Sequence, residues 1–505
     1  MSIATSDPAA IPPDISGDSG SAKGKWLALA VIAVSQLLIV LDATIVNIAL
    51  PTAQKALHIS DADRQWMITA YTLAFGGLLL LGGRVADYTG RKRAFIIGLL
   101  GFAGASALGG LAQNAFMLFS ARALQGAFGA LMAPAALSLL TVAFTEPKER
   151  ARAFGVYGAI SGGGGAIGLL LGGALTEYAS WRWTLLISTP IAIAAALAAV
   201  RFIGESRAEG NTRYDLPGAF TSTAGLVALV YGFTKAGTDG WGSGVTISFL
   251  VAAVVLLVAF VVIELRSKHP LLPMRVILDR NRGGAYLTAL LIGVGLFGVF
   301  LFLTLYLQQT LGYTALQSGV AFLPFTVGIV LGAGLSAQLQ TRVGPRILMF
   351  AGTLLAGAGM VLLTRIGVDT SFWSHVLPAE VLISFGIGVT FGPMSSTALV
   401  GVADHDAGVA SALINTTQQI GGSLGTALLN TIVTSAVTGY IVDHQAQLTS
   451  KAQLPALTSV ATVHGYTIAF WVSAAVIGVA ALMAVILVRA KRDDVATAGA
   501  VHGGM

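Results

Sequence analysis

Two charged residues stand inside stretches that are otherwise apolar. Asp42 lies in Leu41-Asp42-Ala43-Thr44-Ile45-Val46-Asn47-Ile48-Ala49-Leu50-Pro51, and Arg122 opens Arg122-Ala123-Leu124-Gln125-Gly126-Ala127-Phe128-Gly129. An acid placed in a membrane helix costs about 2.5–3.5 kcal/mol on insertion scales, so such a residue is a functional candidate by default. Burial disfavours its charged form and a neighbouring cation favours it. Where the balance changes with conformation, the acid can take up and release a proton. The plainer alternative is a fixed ion pair.

The elements that carry these residues follow from composition. Of 505 residues, 55% are hydrophobic and only 10% are charged, with a mean hydropathy of +0.80; a soluble domain carries about 25% charged residues. The apolar stretches recur at the ~20 residues needed to span a bilayer, which implies an all-α polytopic membrane protein. Fourteen spans are expected, near 26–50, 64–86, 94–112, 116–141, 152–176, 181–203, 216–235, 245–265, 284–311, 317–340, 346–366, 373–400, 407–436 and 464–489. At ~1.5 Å per residue, Arg122 sits roughly 9 Å and Asp42 roughly 12 Å below the outer ends of their helices, which places them at similar depth. Many of the 62 glycines fall inside spans, as close packing of membrane helices favours.

Orientation follows from the cations. Gly83-Arg84-Val85-Ala86-Asp87-Tyr88-Thr89-Gly90-Arg91-Lys92-Arg93 packs an acid, glycines and three consecutive cations into a tight connection between spans two and three. With this connection in the cytoplasm, 22 Lys and Arg fall inside, six outside, and Arg122 within a span. Both termini are then cytoplasmic. Asp87 to Lys92 has a weak echo in Thr341-Arg342-Val343-Gly344-Pro345-Arg346, 254 residues later, with Thr341 in place of Asp87. Parallel repeats of this kind place a substrate path between two halves. The expected division is a disordered cytoplasmic tail at 1–25, a six-helix bundle at 26–203, two additional spans with cytoplasmic linkers at 204–282, a second six-helix bundle at 283–490, and a cytoplasmic tail at 491–505. No basic segment precedes a short apolar core with a cleavage site, so no signal peptide is expected.

Further polar and small residues mark the spans. Gly164, Gly168 and Gly172 recur every four residues, with Gly173 following, and give span five a smooth face for close packing. Asn415 and Gln419 share a face in span thirteen, beside Gln418; they either line a water-filled path or hydrogen-bond between helices. Glu380 is either a second membrane acid or a side chain that snorkels to the outer surface. With Asn47 and Gln125, these residues are the candidates for a substrate path. Trp181-Arg182-Trp183 suits an interfacial aromatic belt. There is no cysteine, hence no disulfide or thiolate metal site. No phosphate-binding glycine loop is present, and the seven histidines lack zinc-site spacing. The net charge of +6 sits in membrane-flanking loops, so it reads as topology, not nucleic-acid binding.

The connection at 83–93 resembles the loop between helices two and three of the major facilitator superfamily. The Asp42 and Arg122 segments, the glycine spacing of span five and the Trp181–Trp183 opening of span six resemble, in order, the fourteen-helix drug:proton antiporters of that superfamily. The likeness covers Trp26 to Arg492. One departure is Leu169, where the family's fifth-helix motif carries proline after its central glycine. The resemblance implies two six-helix bundles plus two inserted helices, and no enzymatic activity. It implies export of a small amphipathic drug or antibiotic by alternating access, driven by protons, with no cofactor or metal. Asp42 and Arg122 would couple protons, while Gly83, Asp87, Gly90, Arg91, Lys92 and Arg93 would form a cytoplasmic latch that meets the start of span thirteen. The rival reading is that these cations only set topology. A monomer in a bacterial cytoplasmic membrane is expected, with the lipid bilayer, the substrate and protons as its partners. The alternatives are a proton-coupled importer of the same fold, an exporter of lipids or their precursors, and, from another class, a membrane receptor or sensor.

Overall fold

The computed structural model describes residues 22–144, 146–207, 215–267, 270–402, 407–445 and 451–492. Among the described residues, fourteen helices are long and apolar enough to cross a membrane. They are α1 (Gly24–Ala56), α2 (Trp66–Thr89), α3 (Arg91–Gly110), α4 (Ala115–Ala143), α5 (Gly155–Tyr178), α6 (Trp183–Phe202), α7 (Leu216–Asp239), α8 (Gly244–Arg266), α9 (Arg280–Thr310), α10 (Ala315–Gln340), α11 (Pro345–Leu363), α12 (Phe372–Leu399), α13 (Val409–His444) and α14 (Leu454–Leu487). Most of both expected tails, and parts of the linkers around α7 and α8, lie outside the described residues.

Several boundaries differ from the sequence reading, and the reasons are physical. Helix begins at Ala22, inside the stretch expected to be a tail. Helix α1 runs through Pro51 to Ala56 instead of closing at the proline. Helix α13 extends to His444, and α14 starts at Leu454, ten residues before its expected edge. Hydropathy marks only the part of a helix that lipid or protein must cover; the extra turns carry Asp443 and His444 in α13 and Thr458, Ser459 and Thr462 in α14. There Tyr440 of α13 stacks on His444, with ring centroids 4.0 Å apart, and on His464 of α14 at 4.8 Å.

Helices α1 to α6 pack on one another, as do α9 to α14. Small residues set the spacing within each group. Gly98 of α3 faces the backbone of Met132 in α4, and Gly386 of α12 faces Gly352 and Ala356 of α11. A cluster of buried side chains that includes Tyr71, Phe75, Phe95, Phe102 and Leu140 fills the first group. A larger cluster fills the second and reaches across to Ile45, Ile48 and Leu50 of α1. Helix α7 lies in the groove between α2 and α13, where Val230 and Leu226 meet Leu73 and Ala427. Helix α8 packs on α7 and turns Val251, Val254, Val255 and Val258 outward.

Candidate functional site

The two charges singled out from the sequence meet. Arg122 of α4 places Nη1 2.8 Å from Oδ1 and 2.7 Å from Oδ2 of Asp42 in α1. Both side chains are buried, at 2% and 0% exposure. The same guanidinium donates from Nε to the carbonyl of Met67 in α2 (2.9 Å) and from Nη1 to Oε1 of Gln125 (2.8 Å). It also lies over the Tyr71 ring, 4.6 Å from the centroid. Gln125 closes the circuit: its Nε2 donates to Asp42 Oδ1 (3.0 Å) and to Ser106 Oγ of α3 (2.8 Å). Two α4 side chains thus hold the carboxylate, and through them α2 and α3 join the same circuit. Removing one member of such a buried pair costs about 3–5 kcal/mol, because the other charge is left unpaired. Gln125 was expected along a substrate path. It is instead fully buried and spent on this network, a placement explained by its lying one turn after Arg122 on the same face. Ser106, a lone serine in an alanine- and glycine-rich helix, carries no sequence signal for its role.

The glycines of α5 meet the helix that carries Asp42. A side chain at Gly164 would meet Leu37 and Val40, one at Gly168 would meet Thr44, and one at Gly172 would meet Ile45. Gly173 instead faces Ala315 and Leu316 of α10, in the other group of helices, and Gly319 of α10 faces the carbonyl of Leu169. Leu169 therefore stands at a contact between the two groups. Helix α5 links Asp42's helix to that seam.

Away from the 83–93 connection, the seam is held by polar contacts. The Arg64 side chain, counted from sequence among outer-loop cations, is buried at 5% exposure. Its Nε donates to Asn430 Oδ1 of α13 (3.2 Å) and its Nη1 reaches Asp61 (3.1 Å); Asn430 Nδ2 in turn donates to the carbonyl of Asp61 (3.0 Å). Thr72 of α2 pairs with Ser423 of α13 at 2.6 Å, Gln308 of α9 donates to the carbonyl of Ile48, and Glu177 of α5 accepts from the amide of Leu316. Gln65 donates to Thr234 of α7, and Thr431 of α13 donates to the carbonyl of Phe233, so α7 is bonded to both groups.

The 83–93 connection is tighter than its sequence suggests. Asp87 lies in the last turn of α2 and Arg91 starts α3, leaving Gly90 alone between them at φ +119°, a conformation suited to glycine. Gly83 packs near Pro134 of α4. Cations at a helix N-terminus are unfavourable, and Glu205, beyond α6, offsets them. Its Oε1 accepts from the amide of Lys92 (3.1 Å) and its Oε2 lies 3.8 Å from Arg93. Lys92 Nζ also reaches the carbonyl of Val200, and the amide of Arg91 bonds Ser206. Asp87 pairs with Arg91 at 2.8 Å. The side chains of residues 407 and 408, at the start of span thirteen where the partner of Asp87 was expected, lie outside the described ones.

The remaining path candidates separate. Asn415 is exposed on α13, between the surface facing α2 and that facing α9, with Gln418 and Gln419 half-buried beside it; Cβ of Gln419 packs against Gly76 of α2. Asn47 is buried and donates to the carbonyl of Ala43 on its own helix. Glu380 is fully buried in α12, which excludes the expected alternative of snorkelling: the first turns of α12 are packed on α10 and α11, leaving the side chain no route to the surface. Among the described residues, no group of three or more His, Cys, Asp or Glu side chains is placed to hold a metal.

The architecture is matched by a family model. The model described as Major Facilitator Superfamily matches residues 32–426. The chain belongs to the major facilitator superfamily. It is therefore an integral membrane transporter. This major facilitator protein is 50% identical over 491 residues to the puromycin resistance protein pur8 of Streptomyces alboniger, covering 96% of each chain. It is 39% identical to the cephamycin export protein CmcT of Amycolatopsis lactamdurans, covering 82% of this chain and 86% of that one. It is 33% identical to the tetracenomycin C resistance and export protein of Streptomyces glaucescens, covering 85% and 80%. Among solved structures, its fold matches a bacterial homolog of the human lysosomal transporter Spinster, with a TM-score of 0.67 at 17% identity, covering 94% of this chain and 99% of that one.

Proposed function

We propose that this transporter exports amphipathic antibiotics or related drugs in exchange for protons. The observation that carries the reading is the buried circuit around Asp42, in which one carboxylate holds Arg122 and Gln125 and so ties α1 to α4. A proton arriving on Asp42 cancels the charge that Arg122 holds, leaving the guanidinium with the Met67 carbonyl, Gln125 and the Tyr71 ring. The tie between α1 and α4 then loosens. Helix α5 rides on α1 through Gly164, Gly168 and Gly172 and reaches α10 through Gly173. A change at Asp42 is thus passed to the seam through packed neighbours. The resistance and export roles carried in the relatives' names support both the cargo and its direction.

The excess of cations at the 83–93 end supports a cytoplasmic position for that end. The Arg64–Asn430 contacts then close the outer end. The cell loses substrate when this closure opens and the cytoplasmic end seals, with Asp87, Gly90 and Arg91–Arg93 forming part of that seal. A single chain supplies every part, without a cofactor, in a bacterial cytoplasmic membrane. Asn415, Gln418 and Gln419, between the surfaces facing α2 and α9, are the polar groups along the path. Inverted vesicles from a pump-deficient host provide the test. An imposed proton gradient should drive dye or puromycin inward, and an uncoupler should stop it. Accumulation that ignores the uncoupler overturns the coupling, and accumulation only in right-side-out vesicles overturns the direction.

A further inference from the structure

Glu380 is a buried acid that the mechanism above does not use, and among the described residues it lacks the backbone amide partners that Glu264 and Asp215 have at Leu272 and Gly218. It is fully buried, and among the described residues neither carboxylate oxygen has a hydrogen-bond partner. Among the titratable groups on the elements around it, Tyr306 of α9 is bonded to the carbonyl of Gly367, and His375 is exposed and bonded to Ser374. Arg365 and Asp369 lie in the α11–α12 connection, while Arg342 and Arg346 stand at the far end of the helices. No salt bridge to Glu380 exists among the described residues. An isolated ionised carboxylate in such a place is strongly disfavoured, and a proton on it removes that penalty.

Its position in the fold is as informative as its isolation. In the first group of helices, Cβ of Ala74 in α2 lies 3.0 Å from where a Cβ on Gly126 of α4 would sit. In the second, Cβ of Ser384 in α12 lies 3.0 Å from where a Cβ on Gly328 of α10 would sit. Ala74 and Gly328 are 254 residues apart, the spacing that also relates Asp87 to Thr341. One turn before Gly126 stands Arg122, and one turn before Ser384 stands Glu380. The second group therefore carries an acid where the first carries the cation of its proton circuit. Glu380 also follows Phe372, the start of α12, by eight residues, or ~12 Å, near the end where the seam is closed.

We propose that Glu380 is a second proton-binding side chain of the transport cycle. This rests on the proton-driven reading and extends it. Glu380 takes a proton from water when the outer end opens, holds it as a neutral carboxyl while buried as it is here, and returns it to water in a later state. Each cycle then moves a proton in addition to the one on Asp42.

Two measurements on the full-length protein test this. In lipid, the infrared spectrum should contain a buried carboxyl C=O band that Glu380→Gln abolishes and Asp42→Asn leaves in place. In proteoliposomes with ethidium as the probe, a gradient of about one pH unit and a clamped membrane potential, losing one proton per cycle lowers the limiting dye gradient about tenfold; Glu380→Asp should keep that gradient. An unchanged band and a wild-type limiting gradient in Glu380→Gln overturn the proposal. Should Glu380→Gln fail to fold, Glu380→Asp must shift the band, and an unshifted band overturns the proposal equally. If Asp42→Asn loses the gradient while Glu380→Gln keeps it, only the role of Glu380 falls. If both variants keep it, proton drive itself falls.

Discussion

The two groups of helices share a packing frame and use it for opposite chemistry. In the first, Arg122 is enclosed by a carboxylate, an amide, a backbone carbonyl and an aromatic ring, all supplied by neighbouring helices. In the second, the matching place holds Glu380, which has no hydrogen-bond partner among the described residues. The frame is made by small residues that let backbones approach, so it constrains where a side chain sits without fixing its charge. A charge locked in a circuit is costly to alter and holds its helices together. An acid without partners breaks no bond when its proton leaves, but it ionises only where water reaches it. Position is thus shared between the halves, while the degree of pairing sets what each position can do.

The sharpest way to break this comparison is to neutralise each side in turn. Arg122→Ala and Asp42→Asn should each lose about 3–5 kcal/mol of stability, read as a fall in unfolding temperature in detergent, and uphill export should vanish. Glu380→Gln, which removes no hydrogen bond, should unfold close to wild type. Equal losses at both places would show that the pairing seen around Arg122 contributes nothing. Next in size is the outer closure. Arg64→Ala should cost about 1.5–3 kcal/mol, the range for hydrogen bonds to charged groups, and single cysteines placed near Asn430 should become more reactive from outside. Unchanged reactivity removes Arg64 from the closure. Ser106→Ala should cost about 0.5–1.5 kcal/mol with export retained, because Gln125 keeps its bonds to Asp42 and Arg122; loss of export would make Ser106 part of the proton path. The smallest stability change, under about 1 kcal/mol, is expected for Asp87→Asn, whose pair with Arg91 is partly exposed. That variant should nonetheless slow turnover and favour the state open to the cytoplasm; equal rates and equal cysteine accessibility would leave Asp87 a local cap.

Much of this was legible before the structure, for identifiable reasons. A charge in an apolar run is conspicuous, and helix rise gives its depth, so Asp42 and Arg122 could be matched from sequence. The number of spans followed from the length and hydropathy of each run. What stayed hidden depended on direction rather than composition. Arg64 reads as an ordinary loop cation until the chain turns it under Asn430, 366 residues away. Glu205 stands among cations in a linker, and nothing local ties it to Lys92. The outer turns of α13 carry Asp443 and His444, and those of α14 mix Thr458, Ser459 and Thr462 with apolar residues, so each helix outruns the stretch that a bilayer-length window marks.

Helix α7 has one more consequence. By filling the groove between α2 and α13 and bonding to both, it covers one flank of the seam. Among the described residues, the inserted pair gives the flank between α5 and α10 no such cover; there Gly173 packs on Ala315 and Leu316, and Gly319 on Leu169. The two flanks of a two-fold frame are thus sealed in different ways, by an inserted helix on one and by glycine against backbone on the other.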